Sequence, residues 1–312
     1  MDLVFVTSND LKFKACQKIL DVNLEQVKLP LVEIQGEPRE IAILKAKDAF
    51  KKVNKPLIIN DSSFCIPSLN NFPGPYTSYV EKTLGSNLLK LMEGNKNRDC
   101  YYLDILVYID AYSLKVIETK TYGTLSLTEA SGDYYPLDKI FIKDGDNKPI
   151  CYNQGNMYEN NGYVELNNYL KKRKVSRGIV FFDDKVLLLY RKRLENNKYL
   201  EYYAIPGGGI ERDETKEEAC LRELFEETSI KTNIITYLES EEYDTGICYY
   251  YLVNYISGDI KLGGEELEKN NPDNYYEVRL VPVSELDNIY IYGKGKEIIK
   301  EVYKKYKTEK DN

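Results

Sequence analysis

Residues 208–230, GGIERDETKEEACLRELFEETSI, place carboxylates at helical spacing. Glu226 and Glu227 follow Glu223 by three and four positions, so a helix over Thr215–Glu227 would carry all three on one face. The segment is rich in Glu, Ala, Leu and Lys and contains neither Gly nor Pro after its first residues, which favours that helix. Such a cluster of like charges is unfavourable unless cations neutralise it, and hard oxygen ligands suit Mg²⁺ or Mn²⁺ better than zinc. The pattern predicts a divalent-metal site.

Two neighbouring features support this interpretation over a solvated acidic helix, which is the common alternative for such a run. Gly207, Gly208 and Gly209 stand just upstream, and glycines let the backbone approach a phosphate or lend a carbonyl to a metal. Arg222 lies where its guanidinium can bind and orient one of the carboxylates. The Cys220–Leu224 and Leu221–Phe225 pairs, each four residues apart, predict the side of the helix that faces the core.

The 312-residue chain has no histidine, which narrows the available chemistry. It excludes Ser-His-Asp and Cys-His catalysis and any zinc site with an imidazole ligand. Acid–base work must fall to carboxylates, Lys, Tyr or metal-bound water. The net charge of −7 argues against a general nucleic-acid binder, and residues 208–230 alone hold eight acidic and three basic residues.

Polar residues in the first half follow apolar strands. Asn9 and Lys12, in TSNDLK, stand where a strand turns into a helix and suit a polyphosphate, although simple helix capping is the alternative. Glu37 lies in a Gly-Pro turn ahead of a second helix. Asp61 is predicted at the end of the buried strand PLIIN, where open α/β sheets place ligands. Two such carboxylates could hold Mg²⁺ against a triphosphate, whereas each alone is more often a turn or capping residue.

The elements that must position these residues alternate along the first half. Strands are predicted at 3–7, 56–60, 101–109 and 116–127, and helices at 10–20, 40–53 and 165–170, which indicates an α/β domain. The basic run KKRKVSR, Lys171–Arg177, is interpreted as a solvated linker. After it, residues 178–192 read as two β runs joined at Asp183-Asp184. We therefore predict one domain over residues 1–173 and another over 174–312.

The segments TSNDLK, LVEIQGEPREIAILKA and INDSSFCIPSLNNFPGPY, in this order, resemble the inosine triphosphate pyrophosphatase family. That family uses Mg²⁺ to split nucleoside triphosphates into monophosphate and pyrophosphate. The resemblance covers about residues 1–170 and implies a long central mixed sheet. It also implies roles for single residues: Ser8, Asn9 and Lys12 in phosphate binding, Glu37 as a metal ligand, and Asp61 as a metal ligand or the group that positions the attacking water.

The same resemblance shows departures at the base-reading end. Asn60 stands where the family often has a first acid, and YYPLDKIF keeps only Tyr135 as a base-stacking ring, Asp138 and Phe141. The family's Lys and Ser-His-Arg, which read the keto edge of a purine, should fall near residues 157–163, where this chain has MYENNGY. Loss of these base-reading residues is expected to change which substrate is bound more than which reaction is catalysed. A first domain that only binds nucleotide is therefore the alternative.

Residues 208–230 resemble the Nudix box, Gly-x5-Glu-x7-Arg-Glu-U-x-Glu-Glu-x-Gly-U, where U is a bulky aliphatic residue; Ser229 replaces the second glycine. The resemblance implies an α/β/α sandwich that cleaves a nucleoside diphosphate linked to X. Its implied metal ligands are the carbonyl of Gly207 and the side chains of Glu223, Glu226 and Glu227. Glu223 or Glu226 would serve as the catalytic base, Arg222 would lie in the substrate site, Glu214 would support the loop, and Glu265 or Glu266 would be an additional base.

Together these observations predict a two-domain enzyme of α/β and α+β class. The expected activity is Mg²⁺-dependent hydrolysis of non-standard or damaged nucleoside triphosphates to monophosphate and pyrophosphate, with Mn²⁺ as a substitute. The alternative is a Nudix hydrolase for another nucleoside diphosphate-X compound, with the first domain as a binding module. The expected partners are the nucleotide substrate and, by resemblance, a second copy of the chain, without nucleic acid polymers or membranes.

Six dispersed cysteines, Cys16, Cys65, Cys100, Cys151, Cys220 and Cys248, form no CxxC pair and are interpreted as reduced packing residues. The first apolar stretch is interrupted by Asp2, Asn9, Asp10 and Lys12, which argues against a signal peptide. No run approaches the ~18–20 apolar residues of a membrane span. A cytoplasmic location is therefore expected.

Overall fold

The computed structural model describes residues 2–32, 34–153, 161–211 and 213–310. The chain divides into two compact units, Met1–Lys171 and Lys172–Asn312. Each unit has its own sheets and its own buried apolar clusters. Each unit is therefore described by itself.

The first unit is built around one seven-stranded mixed sheet of order β2-β1-β3-β5-β6-β7, with β4 paired to β3. Strand β1 is parallel to β2 and β3, and the remaining pairs are antiparallel. The elements are β1 Asp2–Val6, α1 Asp10–Ile19, β2 Asn23–Val27, α2 Pro38–Val53, β3 Leu57–Ile66, β4 Phe72–Gly74, α3 Thr77–Thr83, β5 Asp99–Ile109, β6 Leu114–Leu125, β7 Phe141–Lys143 and α4 Asn161–Lys171. This confirms the predicted α/β class with a long mixed sheet.

Strand β3 continues well beyond the predicted end at residue 60. Residues 57 and 58 pair in parallel with β1, and residues 57–65 pair antiparallel with β5. The expectation that Asp61 ends a strand is therefore wrong, because pairing with β5 continues the strand through the polar residues 60–63 to the buried apolar residues 64–66. The shorter β1, which pairs with Leu57 and Ile58 of β3, ends at Val6. The carboxyl end of β1, rather than that of β3, thus opens the space for a ligand.

The second unit contains two four-stranded sheets, β11-β10-β15 with β9 on β10, and β12-β8-β14-β13. Its elements are β8 Arg173–Ile179, β9 Phe181–Phe182, β10 Lys185–Glu195, β11 Lys198–Ala204, β12 Gly207–Gly209, α5 Lys216–Thr228, β13 Lys231–Glu242, β14 Gly246–Ser257, α6 Gly264–Glu268, β15 Asn274–Pro282 and α7 Gly295–Lys310. Residues of α7 pack with β10 and β15 in one buried cluster. The predicted turn at Asp183-Asp184 joins β9 to β10.

The basic run Lys171–Arg177 is not the linker that its charge predicts. From Arg173 it forms β8, which lies between β12 and β14 in the middle of its sheet. Ser176 is fully buried, and the ammonium of Lys172 donates to Glu242 and to the carbonyl of Tyr243. Tertiary pairing overrides the local charge pattern here, since strand formation depends on neighbours that are distant in sequence.

Helix α5 begins and ends as its sequence predicts. Thr215 caps it, and its hydroxyl and the Glu218 carboxylate form a reciprocal capping box. The buried face contains Ala219, Cys220 and Leu224, whereas Phe225 is 49% exposed. The Cys220–Leu224 pair is thus confirmed as core-facing. The Leu221–Phe225 pair is not, because that face of the helix turns towards solvent.

Ser229 ends α5 in the left-handed region, at φ 60°. Replacing it with glycine should raise the free energy of unfolding of the second unit by about 1 kcal/mol, since glycine lacks the Cβ that opposes this conformation. Denaturant unfolding of the full chain measures the change. The matched control is Asn54→Gly. Asn54 caps α2 at φ 52°. Because asparagine tolerates the left-handed region better than serine does, this variant should gain less stability. A less stable Ser229→Gly protein would contradict the prediction.

All six cysteines are free and buried, as predicted. Burial raises the pKa of Cys16, Cys100 and Cys220 to about 12, so these thiols stay protonated and unreactive. Within the described ranges, no helix combines the length and the apolar character that crossing a membrane requires.

Candidate active sites

A cavity of about 400 Å³ opens in the first unit beside the carboxyl end of β1. Six of the seven residues predicted for the first-domain site line it, namely Ser8, Asn9, Lys12, Asp61, Tyr135 and Asp138. It is also lined by Thr7, Asn60, Ser62, Thr77, Ser78, Glu81, Tyr102, Asp104, Thr121, Leu137 and Ile150. The seventh predicted residue, Glu37, is not among them. It is an exposed residue that precedes α2, and its side chain makes no capping hydrogen bond.

Asn9 caps α1, because its Oδ1 accepts hydrogen bonds from the backbone N–H groups of Leu11 and Lys12 at 3.0 and 2.9 Å. The capping alternative for Asn9 is thereby confirmed. Capping also fixes the turn between β1 and α1, so that the helix N-terminus and the Lys12 side chain are positioned beside the cavity. This end of the cavity suits an anion.

The Lys12 ammonium is held by β3. Its Nζ donates to Oδ1 of Asn60 at 2.7 Å and to Oγ of Ser62 at 2.6 Å. Burial lowers the pKa of Lys12, partly offset by the negative charges of Asp104 and Asp61. The alternate residues Asn60 and Ser62 lie on one face of β3, as the period of two requires. The Lys12 ammonium is therefore held in a fixed position at the end of the cavity that suits an anion, which we call the phosphate end.

Asp61 lies within 3.3 Å of the Nζ of Lys45, a residue of α2 that belongs to none of the predicted sites. Helix α2 packs through Ala42, Ala46 and Ala49, and these small side chains let it approach the sheet closely. Lys45 could have been noticed as a charged residue within one helical turn of this alanine row. The pair holds the Asp61 carboxylate in one orientation.

The other end of the cavity is aromatic and acidic. The hydroxyl of Tyr102 donates to Oδ1 of Asp138 at 3.0 Å, and Tyr135 is 51% exposed, as a stacking ring would need to be. Asp138 is only 8% exposed, and burial raises its pKa to about 6. Burial also raises the pKa of Glu81. Sequence reasoning missed Glu81, Tyr102 and Asp104, although a carboxylate two residues from a tyrosine in a β-rich run is a recognisable signal.

The segment MYENNGY, predicted to replace the family's base-reading residues, lies largely outside the described residues, since residues 154–160 are not described. The last residue of this segment, Tyr163, is buried in α4, and its ring contacts that of Phe5 with 6.3 Å between the centroids. Tyr163 is thus a core residue.

Asp138→Asn should stabilise the first unit at pH 8 by about 2 kcal/mol and have little effect at pH 4. The pKa of Asp138 is higher in the folded protein than its ordinary value of 3.8. Its contribution to stability is therefore greatest below pH 3.8 and is lost as the pH rises through 6. Thermal unfolding at both pH values checks this, with the exposed Asp133→Asn as the control. An equal effect at both pH values would exclude the ionisation as its cause.

In the second unit, Arg222 organises the carboxylates around α5. Its Nη2 donates to Glu214 at 2.7 Å and to the carbonyl of Gly209 at 2.9 Å. Its Nη1 donates to Glu223 at 3.0 Å and to Glu226 at 3.2 Å. These hydrogen bonds agree with the expectation that Arg222 orients carboxylates, and Glu214, which also accepts from the backbone N–H of Glu211, ties the preceding loop to the helix.

Glu227 lies underneath this network and is 7% exposed. It accepts a hydrogen bond from the backbone N–H of Gly207 at 2.7 Å, and the positive charge of Arg177 acts on it. Burial nevertheless raises its pKa to about 8. Gly208 faces Glu223 so closely that a Cβ on it would overlap the carboxylate. The close approach of β12 to the carboxylate helix therefore requires a glycine at position 208.

The donor set around α5 suits a divalent cation, because a buried carboxylate with a raised pKa lacks a sufficient counter-charge. Within the residues that the structure describes, no three acidic or thiol side chains form a ready-made metal-binding group. Arg222 instead bonds Glu223 and Glu226, and Gly207 bonds Glu227. Of the two candidate extra bases, the charge of Glu266 acts on Glu223 and Glu227, whereas Glu265 pairs with Lys269.

The fold and these sites define a hydrolase that acts on phosphoanhydride bonds. Residues 3–162 match the Ham1 family and residues 172–305 match the NUDIX domain. The chain belongs to the Ham1 family and carries a NUDIX domain in its second half, which confirms both predicted resemblances. Both families generally depend on divalent metal ions.

Individual relatives match the first half. The dITP/XTP pyrophosphatase of Korarchaeum cryptofilum is 35% identical over 150 residues, which is 47% of this chain and 81% of that protein. The dITP/XTP pyrophosphatase of Methanosarcina mazei is 39% identical over 149 residues, 46% of this chain and 81% of that protein. The Staphylococcus aureus Ham1 protein structure has 19% identity and a TM-score of 0.49, and the match covers 55% of this chain and 98% of that one.

Proposed function

We propose that the protein is a Mg²⁺-dependent nucleotide pyrophosphohydrolase with two active sites, which converts non-standard or damaged nucleoside triphosphates to monophosphate and pyrophosphate. The observation that carries the proposal is the first-unit cavity, which is lined by Lys12 and the start of α1 and also by the half-exposed ring of Tyr135. A group that binds phosphate and a ring that can stack on a base, in one cavity, fit a nucleoside triphosphate. The relatives named dITP/XTP pyrophosphatase support the same substrate class.

In the first unit, Lys12 and the N-terminal amides of α1 would hold the phosphates. Asp61, oriented by Lys45, would accept a proton from the attacking water or ligate the metal. Glu37 remains the proposed second ligand, on the α2 side. Mg²⁺ would supply charge neutralisation of the triphosphate and polarisation of its phosphoryl oxygens.

In the second unit, Glu223, Glu226 and Glu227 with the carbonyl of Gly207 would hold the metal. Arg222 donates hydrogen bonds to two of those carboxylates, Glu223 and Glu226. A bound metal would therefore share these two side chains with Arg222. Glu223 or Glu226 would accept the proton of the attacking water, with Glu266 as a nearby additional carboxylate. Mn²⁺ would substitute for Mg²⁺, since both prefer oxygen ligands.

We expect a homodimer, as the resemblance implies, and no nucleic acid polymer or membrane as partner. The acidic net charge of −7 supports the absence of a polynucleotide partner. The six free cysteines support a reducing, cytoplasmic location.

A nucleotide panel tests the proposal. The full chain is incubated with ITP, dITP, XTP, 8-oxo-dGTP, ATP and dGTP, with Mg²⁺ or with EDTA, and pyrophosphate and monophosphate are measured. The expected result is Mg²⁺-dependent release of both products from at least one of the first four, faster than from ATP or dGTP. Absence of pyrophosphate from every nucleotide would overturn it.

The second candidate is a Nudix hydrolase for another nucleoside diphosphate-X compound, with the first unit as a nucleotide-binding module. Asn60, which replaces an acid that the family often has, favours this alternative. Its side chain accepts from Lys12 and carries no charge for a metal. Cleavage of nucleotide sugars or dinucleoside polyphosphates, without turnover of any triphosphate, would support it.

A further inference from the structure

Asp104 is a carboxylate in the first-unit cavity that none of the recognised sequence segments includes. It lies on β5 directly opposite Ser62 of β3 in the antiparallel register, so both side chains project from the same face. The Ser62 hydroxyl donates a hydrogen bond to Oδ1 of Asp104. Asp104 is thereby joined to the phosphate end of the cavity.

The connection continues to Lys12. Its ammonium donates to Ser62 Oγ, and the Asp104 charge is the largest of the nearby charges that stabilise the ammonium form. Two N–H bonds of Lys12 point at oxygens of Asn60 and Ser62, which leaves the third for a ligand. Part of the positive charge that would attract a phosphate is thus already compensated within the protein.

Asn60 indicates that an acceptor is missing at this end. Its Nδ2 is buried and has no hydrogen-bond partner among the described residues, while its Oδ1 accepts from Lys12. Buried amide donors normally have a partner, so an acceptor oxygen is expected in the cavity. A phosphate oxygen supplies one, and it would then lie close to the Asp104 carboxylate.

We propose that Asp104 is a positioning residue of the phosphate end: through Ser62 it fixes Lys12, and its negative charge limits how tightly the cavity retains a phosphate-rich anion such as pyrophosphate. The inference rests on the proposed function only in taking this cavity as the triphosphate site. Four carboxylates line the cavity, namely Asp61, Glu81, Asp104 and Asp138, and Asp104 is the one joined to the lysine by a hydrogen-bonded side chain.

The test is calorimetric titration of inorganic pyrophosphate into the full chain in EDTA, where the acidic box of the second unit has no metal to attract the anion. Asp104→Asn keeps an acceptor for Ser62 and removes the charge. We expect it to bind pyrophosphate about ten-fold more tightly than the unmodified protein at pH 6, since removing a like charge a few ångströms away favours the anion. The low pH is needed because the Asp104 charge also stabilises the ammonium form of Lys12, and acid favours that form when the charge is removed. Asp99→Asn, at an exposed position of the same strand, is the matched control and should change affinity by less than about two-fold.

Lys12→Met identifies where the anion binds and should weaken binding about ten-fold. Unchanged or weaker binding by folded Asp104→Asn would overturn the proposal, as would unchanged binding by Lys12→Met. A merely structural role of Asp104 predicts weaker binding, which is the opposite sign. Because binding is measured without turnover, failure of the proposed function appears separately, as absence of pyrophosphate release in the nucleotide panel.

Discussion

Glu223→Gln should lower the turnover of whichever substrate the second unit hydrolyses by at least about 100-fold, with the stability of the protein little changed. Glu223 accepts from Arg222, and its carboxylate faces Gly208, where a side chain would leave it no room. Glutamine keeps the size of the side chain but removes the charge that a divalent cation needs. Steady-state release of monophosphate with Mg²⁺ measures the loss.

Glu217→Gln is the matched control, because it lies on the first turn of the same helix and is not a predicted metal ligand. It should retain activity within about two-fold. A second expectation follows from the same site: raising the Mg²⁺ or Mn²⁺ concentration should restore part of the Glu223→Gln activity if the defect is in metal binding. Full activity of the Glu223→Gln variant would show that this carboxylate of α5 is not part of the catalytic site.

Asp61→Asn should reduce pyrophosphate release by the first unit by about 10²–10⁴-fold, the range associated with loss of a positioned general base. Asp61 lines the cavity and is oriented by Lys45 at 3.3 Å. Asparagine retains the shape and a hydrogen-bond acceptor, but it cannot accept the proton of a water molecule. Pyrophosphate release from ITP, dITP and XTP measures the effect, with Asp99→Asn as the folded control.

The two variants together decide whether the first unit is an enzyme. If both units catalyse, Asp61→Asn should lose a substrate that Glu223→Gln still hydrolyses, and the reverse should hold for another substrate. If the first unit only binds nucleotide, Glu223→Gln alone abolishes every activity. One substrate whose hydrolysis requires Asp61 but not Glu223 would therefore disprove the alternative in which the first unit only binds nucleotide.

Sequence reasoning succeeded where the determining interactions are local. The carboxylate helix was predicted over residues 215–227 and is observed over Lys216–Thr228, because propensity, the Thr215–Glu218 capping box and the i, i+4 spacing all lie within one segment. The same holds for Asn9 as the cap of α1 and for the strands predicted at 101–109 and 116–127, which are observed as β5 and β6. It failed for the basic run, which became β8 because β12 and β14 pair with it from distant parts of the chain.

The sequence by itself determined the two families, the absence of imidazole chemistry and the spacing of the box carboxylates, since each is a property of residue type and short-range order. Only the tertiary structure decided which side chains meet in the first cavity. Lys12 reaches residues 48 and 50 positions away, and Ser62 meets Asp104 across 42 positions. These contacts follow from the order and register of β1, β3 and β5, and strand pairing is non-local, so no local period in the sequence encodes it.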